Sequence, residues 1–420
     1  MIDIKYIRKN PDRVKLNNKK RFKDIDVDET LVLADKQSVL MQEVESIRAD
    51  ANAIAAKIPG ASESDRAGLI SEGKELKARS KEKEDELASV GRELTELLTS
   101  FPNILKEDVP EGADEASNIV ERVVGEPTVF DFPVKDHMEL GEALGLIDTE
   151  RAAKISGSRF TFLMGDAVLL EFALVQYALA TLTAEGFTPV VPPHMVSTKA
   201  MGAMGYLQRG GEEEIYHLKN DDLVLIGTSE QALGPMYMDE ILDPAKLPIR
   251  LAGFSPCYRR EAGSYGKDVK GILRLHQFDK IEMFSFTEPD ESDKEHAHLL
   301  SIQEKLMAGL GLPYRVVKLA AGDTGSPSAR TWDIETWMPS QGVYRETHST
   351  SNTTDYQTRR LHTRIKRDGK NEYAHALNGT AFAIGRILIA LLENNQQKDG
   401  SIMIPEPLRP FMGGRDKIEA

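Results

Sequence analysis

The sequence predicts an α+β protein: an antiparallel or mixed sheet core flanked by helices, with an N-terminal antiparallel coiled-coil hairpin. Three observations predict it. Two heptad seams joined by a short polar turn occupy residues 28–101. A stretch rich in Pro, Gly and acidic residues follows at 102–135 and reads as a linker. Beyond it, strand-like runs do not alternate strictly with helical ones, which argues against a doubly wound parallel sheet. The expected units are therefore a helical-hairpin arm at 1–101, a linker at 102–135 and a globular domain at 136–420.

The first seam places Leu33, Leu40, Ile47 and Ile54 seven apart, with Val44, Ala51 and Ile58 between them. Asp28 can cap its start, and Pro59-Gly60 ends it. ASESDR (61–66) reads as the turn. The second seam runs through Leu76, Leu87, Val90, Leu94, Leu97 and Phe101, and Pro102 stops it. One apolar stripe per helix is enough for two helices to satisfy each other and project into solvent. Such a hairpin suits either dimerisation and packing or reaching a large partner. Lys74, Lys77, Arg79, Lys81 and Lys83 suit an anionic partner, although acidic residues are interleaved with them. In the globular part, helices are expected at 136–147 and 166–185. Strands are expected at 190–191, 223–226, 249–258, 273–286 and 314–318, and a last helix at 381–394.

With 53 Lys and Arg against 67 Asp and Glu, the net charge of −14 argues against a protein that coats nucleic acid nonspecifically. Residues 1–23 nevertheless carry nine Lys/Arg against two Asp, and Arg359–Lys370 is a second basic run. Each is either a solvated face or a phosphate contact. No apolar run is expected to reach the ~18–20 residues of a membrane span, and the first residues show no secretory pattern. The single cysteine, Cys257, excludes an internal disulfide framework and a multi-cysteine zinc site. It reads as a small buried hydrophobe in a protein of the reducing cytoplasm. Neither a P-loop nor a Rossmann fingerprint is present.

The stretch Tyr258–Phe284, YRREAGSYGKDVKGILRLHQFDKIEMF, carries the chemistry. It reads as strand, glycine-containing loop, strand. Arg259 and Glu261 would share one face, and Phe278, Lys280 and Glu282 another. A guanidinium grips phosphate, an aromatic ring stacks on a base and a carboxylate holds an ammonium or exocyclic amine. Together these groups could bind ATP with an amino acid. On spacing alone, a surface hairpin crossed by salt bridges is the better reading.

The stretch resembles motif 2 of the class II aminoacyl-tRNA synthetases, whose Phe/Tyr-Arg-x-Glu stands here as Tyr258-Arg259-Arg260-Glu261. RLHQFDKIEMF looks like the bacterial-type seryl-tRNA synthetase version. GFTPVVPP (186–193) resembles motif 1, GTSEQAL (227–233) the serine-binding loop and LNGTAFAIGRILIALLEN (377–394) motif 3. The resemblance spans essentially the whole chain, arm included, and implies a class II antiparallel sheet. It implies that Arg259 meets the ATP α-phosphate and the serine carboxylate, Glu261 the adenine amine and Phe278 the adenine face. Arg274 and Arg386 would hold the β/γ end, with Arg259 and Arg386 as the catalytic pair. Arg260, Leu275, Thr347 and His348 complete the implied ATP set. Glu346 and Ser349 would hold Mg²⁺ through oxygens. Thr228, Ser229, Glu230 and Glu282 would surround serine, with Glu282 on the ammonium and Asn378 and Thr380 near the hydroxyl. No zinc is implied, since the nine histidines show no ligand spacing. The family further implies a homodimer built around motif 1 and an arm that holds the tRNA(Ser) variable arm. It also charges tRNA(Sec) where that tRNA exists.

The chain departs from the family after Glu346, where Thr347-His348-Ser349-Thr350-Ser351-Asn352 stands in place of the common Ser-Ser-Cys-Ser-Asn run. His348 there reads as a packing residue or a titratable group near the phosphates. Two other readings compete. A ligase that charges a carrier protein resembles the core but lacks the arm. A catalytically silent paralogue would not be expected to keep Arg259, Glu261, Glu282, Glu346 and Arg386.

Overall fold

The structure, a computed structural model, describes residues 1–207, 211–262, 271–367 and 369–419. It divides into two compact units, Met1–Ile104 and Leu105–Ala420.

The first unit begins with two short helices, α1 (Ile4–Lys9) and α2 (Pro11–Lys20), in a segment read from sequence only as basic. Their Ile7 and Val14 join Ile2, Val27 and Phe101 in a small core. The long helices are α3 (Val27–Lys57) and α4 (Glu63–Ser100). At 31 and 38 residues they are about 46 and 57 Å long. Lys36 pairs with Glu86 near one end, and Gly73 lies against Ile54 near the other, so the hairpin is antiparallel. Leu40, Val44, Ile47, Ile54, Val90 and Leu94 are buried along the predicted seams.

Two boundaries differ from expectation. Asp26, not Asp28, caps α3, because its carboxylate accepts from the Asp28 and Glu29 amides at 2.8 and 3.0 Å. Ser62 caps α4 in the same way, so the turn ends there and residues 63–66 are already helical.

The second unit is built on an eight-stranded sheet. In chain order its strands are β1 (Ile119–Val124), β2 (Thr188–Val190), β3 (Ile249–Tyr258), β4 (Gln277–Thr287), β5 (Tyr314–Lys318), β6 (Arg330–Met338), β7 (Val343–Thr354) and β8 (His375–Ala383). Their spatial order is β1-β5-β6-β7-β8-β4-β3-β2. Every pair is antiparallel except β2 on β3. The expected linker is therefore corrected: residues 119–124 form an edge strand paired with β5. Its alternation was masked because this edge strand is mostly exposed on both faces.

Helices α5 (Asp166–Ala184), α6 (Ser292–Leu310) and α7 (Ile384–Asn394) contribute to the main core with Ile281 and Met283 of β4. Helix α5 also corrects the membrane reading, since it is long and apolar enough to span a bilayer. One face of it, carrying Leu170, Leu174, Ala178 and Leu182, packs into this core. On the alternate face of β4, Phe284 and Phe286 pack into a second cluster with Met204 and Leu233. That alternation leaves Phe278, Lys280 and Glu282 together on one face.

Candidate active site

The face of β4 that carries Phe278, Lys280 and Glu282 lines two adjoining cavities. The larger, about 640 Å³, is lined by Thr228, Glu230, Glu282, Ser349, Asn378 and Thr380, among others. The smaller, about 60 Å³, takes Leu275, Phe278, Thr347 and Arg386. Arg259, Glu261, Arg274, Lys280, Glu346 and Thr380 line both.

The loop before Glu230 reaches this face because β3 has a glycine opposite Glu282. A Cβ on Gly253 would lie 2.7 Å from Ser229 Cβ. Ser229 therefore sits in the fold rather than at the cavity: its hydroxyl donates to Gly253 O at 3.2 Å and is 2.7 Å from Ser255 Oγ. Neighbouring Glu230 turns inward and is held at both oxygens. Gln357 Nε2 donates to Oε1 and Tyr206 Oη to Oε2, each at 2.9 Å. Neither Gln357 nor Tyr206 was singled out from sequence, since each is brought to Glu230 only by the fold.

The expected hairpin is shorter than the sequence suggested. β3 ends at Tyr258 and β4 starts at Gln277. Arg259 and Glu261 thus lie past the strand, and Glu261 has φ 51°, a left-handed turn that leaves the pleat. Arg259 is fixed by its Nε, which donates to Gly227 O at 3.1 Å, and its guanidinium lies 5.2 Å from the Phe278 ring centre.

Three cations of the site are matched by carboxylates. Arg274 meets Glu261 at 3.3 Å, Lys280 meets Glu282 at 2.5 Å and Arg386 meets Glu346 at 3.0 Å. Burial pushes the Glu282 carboxyl up, against the pull of Lys280, and Glu230 adds to the rise. Partial burial also works against ionisation of Glu346, yet Arg386 and Arg259 hold that carboxyl below its ordinary value. Asp333 stands opposite Ser349 in the β6–β7 register. Burial and the nearby Glu346 push its carboxyl well up.

Two residues of the expected ATP set lie outside both cavities. Arg260 is exposed, with its amide donating to Glu214 O. His348 is buried against Phe382, its Nδ1 2.8 Å from Thr347 Oγ1, and burial lowers its pKa to about 3. The Cys257 thiol is buried and pushed up to about 11 by that burial. It suits packing rather than nucleophilic chemistry. Two predicted basic patches are partly spent within the fold. Lys83 pairs with Glu43 and Glu86, while Arg359 pairs with Asp355 and Arg367 with Asp290.

Known proteins resemble this chain along its whole length. Residues 1–105 match the seryl-tRNA synthetase N-terminal domain, and residues 215–395 match the class II tRNA synthetase core domain (G, H, P, S and T). The serine–tRNA ligase of Thermobifida fusca is 46% identical over 417 residues, covering 98% of each chain. The crystal structure of seryl-tRNA synthetase from Pyrococcus horikoshii complexed with ATP superposes with TM-score 0.91 at 38% identity, covering 100% of this chain and 99% of that one. The cytoplasmic serine–tRNA ligase of Naegleria fowleri in complex with AMP gives 0.88 at 31% identity, with the same coverage. The chain belongs to the serine–tRNA ligase family of aminoacyl-tRNA synthetases.

Proposed function

We propose that the chain activates serine with ATP and transfers the seryl group to the 3′ end of tRNA(Ser). The observation that carries this reading is the larger cavity. There Thr228, Glu230, Glu282 and Thr380 adjoin Arg259, and through the shared wall the pocket of Phe278 and Arg386. In the first step a serine carboxylate oxygen bonds to the α-phosphorus and the bond to the β-phosphate bridge breaks, releasing pyrophosphate. The carboxylate is already a nucleophile, so positioning and charge neutralisation matter more than proton removal. Arg259 is assigned to the reacting α-phosphate and serine carboxylate. Phe278 and Glu261 are assigned to adenine, and Arg274 and Arg386 to the β/γ end. Glu282 is assigned to the serine ammonium, with Thr380 and Asn378 near its hydroxyl. A site that hydrogen-bonds a hydroxyl disfavours alanine by leaving buried polar groups unpaired.

The residues at Glu346 fit a hard divalent cation. Glu346 is half exposed, Ser349 lies on the same cavity wall, and behind them Asp333 Oδ1 is buried without a hydrogen-bond partner among the described residues. Glu346 and Ser349 would hold Mg²⁺, which when bound would neutralise triphosphate charge.

The arm is assigned to tRNA. Lys74, Lys77, Arg79 and Lys81 are exposed on α4, and Lys5, Lys9, Arg13 and Lys19 are exposed at the N-terminus. A homodimer is supported by exposed apolar side chains on and near motif 1: Leu169 at 48%, Phe172 at 52% and Val191 at 76%. Cytoplasmic residence fits this reading. ATP–pyrophosphate exchange without tRNA, run across the twenty amino acids, tests the activity. Exchange with serine well above threonine, alanine and glycine is expected. Exchange driven by another amino acid would overturn the serine pocket, and none at all would favour a silent paralogue.

A further inference from the structure

Lys280 has no role in the scheme above, yet it sits at its centre. It lines both cavities and is only 8% exposed. Its Nζ is 2.5 Å from Glu282 Oε2 and donates to Thr228 Oγ1 at 3.3 Å. Burying a lysine costs side-chain entropy and desolvation, and is tolerated where partners compensate. The partners here are two of the residues assigned to serine, and Thr228 lies 52 positions from Lys280 in sequence.

We propose that Lys280 is a positioning residue for the amino-acid substrate: it clamps the Thr228 loop to the Glu282 carboxylate and sets which Glu282 oxygen meets serine. Thr380 Oγ1 also approaches Oε2, at 3.5 Å. With Lys280 and Thr380 both on Oε2, Oε1 is the oxygen assigned to the serine ammonium. The clamp also joins two pieces of chain that must approach the ligand from different sides. Thr228 follows the strand Leu223–Leu225, whereas Glu282 lies mid-strand on β4. A carboxylate left without its cation at this depth, with Glu230 nearby, would be poorly oriented and costly to keep charged.

This rests on the serine pocket proposed above, and the test separates the two. ATP–pyrophosphate exchange is measured on the full chain for Lys280→Met, Lys280→Gln, Glu282→Gln and the Lys280→Met/Glu282→Gln pair, varying serine and ATP in turn. Lys280→Met is expected to raise the serine KM roughly 10- to 100-fold, the loss of one charge-assisted hydrogen bond, with the ATP KM essentially unchanged. In the Glu282→Gln background the same change should add little, because the two residues act as one unit. Equal rises in both KM values, or a fall in kcat with the serine KM unchanged, would overturn the proposal and leave Lys280 a phosphate-side or structural group. An unchanged serine KM in Glu282→Gln would remove the pocket reading itself. Should Lys280→Met fail to fold, Lys280→Gln carries the test, since it stays polar in a polar site but lacks the charge and the reach of the ammonium that bridges Glu282 and Thr228. A folded Lys280→Gln protein with the parent's serine KM overturns the clamp.

Discussion

Helix α4 runs for 38 residues and buries only Ser80, Val90 and Leu94, whereas the 11-residue helix α7 buries eight of its side chains. The same alphabet thus serves two purposes. Beyond the small core at its base, the arm holds its two long helices together by a narrow apolar stripe and ion pairs such as Lys36–Glu86 and Arg48–Glu84 across an exposed surface. Surface pairs of this kind contribute little to stability. In the sheet unit, charge is buried and matched: Arg250 donates twice to Glu295 at 2.7 Å, and Glu295 is 5% exposed. The contrast teaches that a long helix can be held along one narrow stripe in one unit, while burial places charge in the other.

The largest effect should come from separating the two. Deleting residues 30–100 is expected to abolish tRNA charging while leaving serine-dependent ATP–pyrophosphate exchange near the parent level. Parallel loss of both in the exchange and charging assays would end the division of labour. Next comes Arg259→Ala, which should depress exchange and charging together, by about 10²- to 10³-fold, as for a lost donor to developing charge. Exchange at the parent rate would remove Arg259 from the chemistry.

Packing sharpens the comparison further. Phe284→Ala in the sheet unit should cost about 4 kcal/mol, and Leu40→Ala in the arm about 2 kcal/mol, because a site beside solvent can collapse around the cavity. Amide exchange resolved by segment would read the two losses separately, and equal losses would contradict the contrast.

Taken per pH unit, the smallest effect concerns acid. His296 is buried, its Nε2 3.0 Å from Thr350 O, and it faces Arg330, Asp293 and Lys106. Burial lowers its pKa from 6.5 to about 3. The unfolded chain therefore takes up the proton first, and stability is lost as pH falls from 6.5 toward 3. His296→Gln should remove about 1.4 kcal/mol per pH unit of that decline. Denaturant unfolding of the sheet unit between these pH values checks it, and an unaltered slope would mean that His296 titrates normally.

The arm was readable because its signal is local. Leu33, Leu40, Ile47 and Ile54 announce a seam, and the partner helix follows within a few residues of chain. Strand β6 also carries a signal, since buried Trp332, Ile334, Thr336 and Met338 alternate along it, although no expected strand covers these residues. In the same way α6 buries His296, Leu299, Leu300, Gln303, Leu306 and Leu310 at helical spacing. The residues proposed for the site stood out in the sequence through their motifs, and most of them line the two cavities.

Which of those residues meet was decided by the sheet. Strand order brings Thr228 to Lys280 and sets Asp333 opposite Ser349. The same order turns Ser229 and His348 away from the cavities into the packing. A period can be read along a line of residues, but pairing across strands distant in sequence depends on closing the intervening chain, and only the folded sheet specifies that.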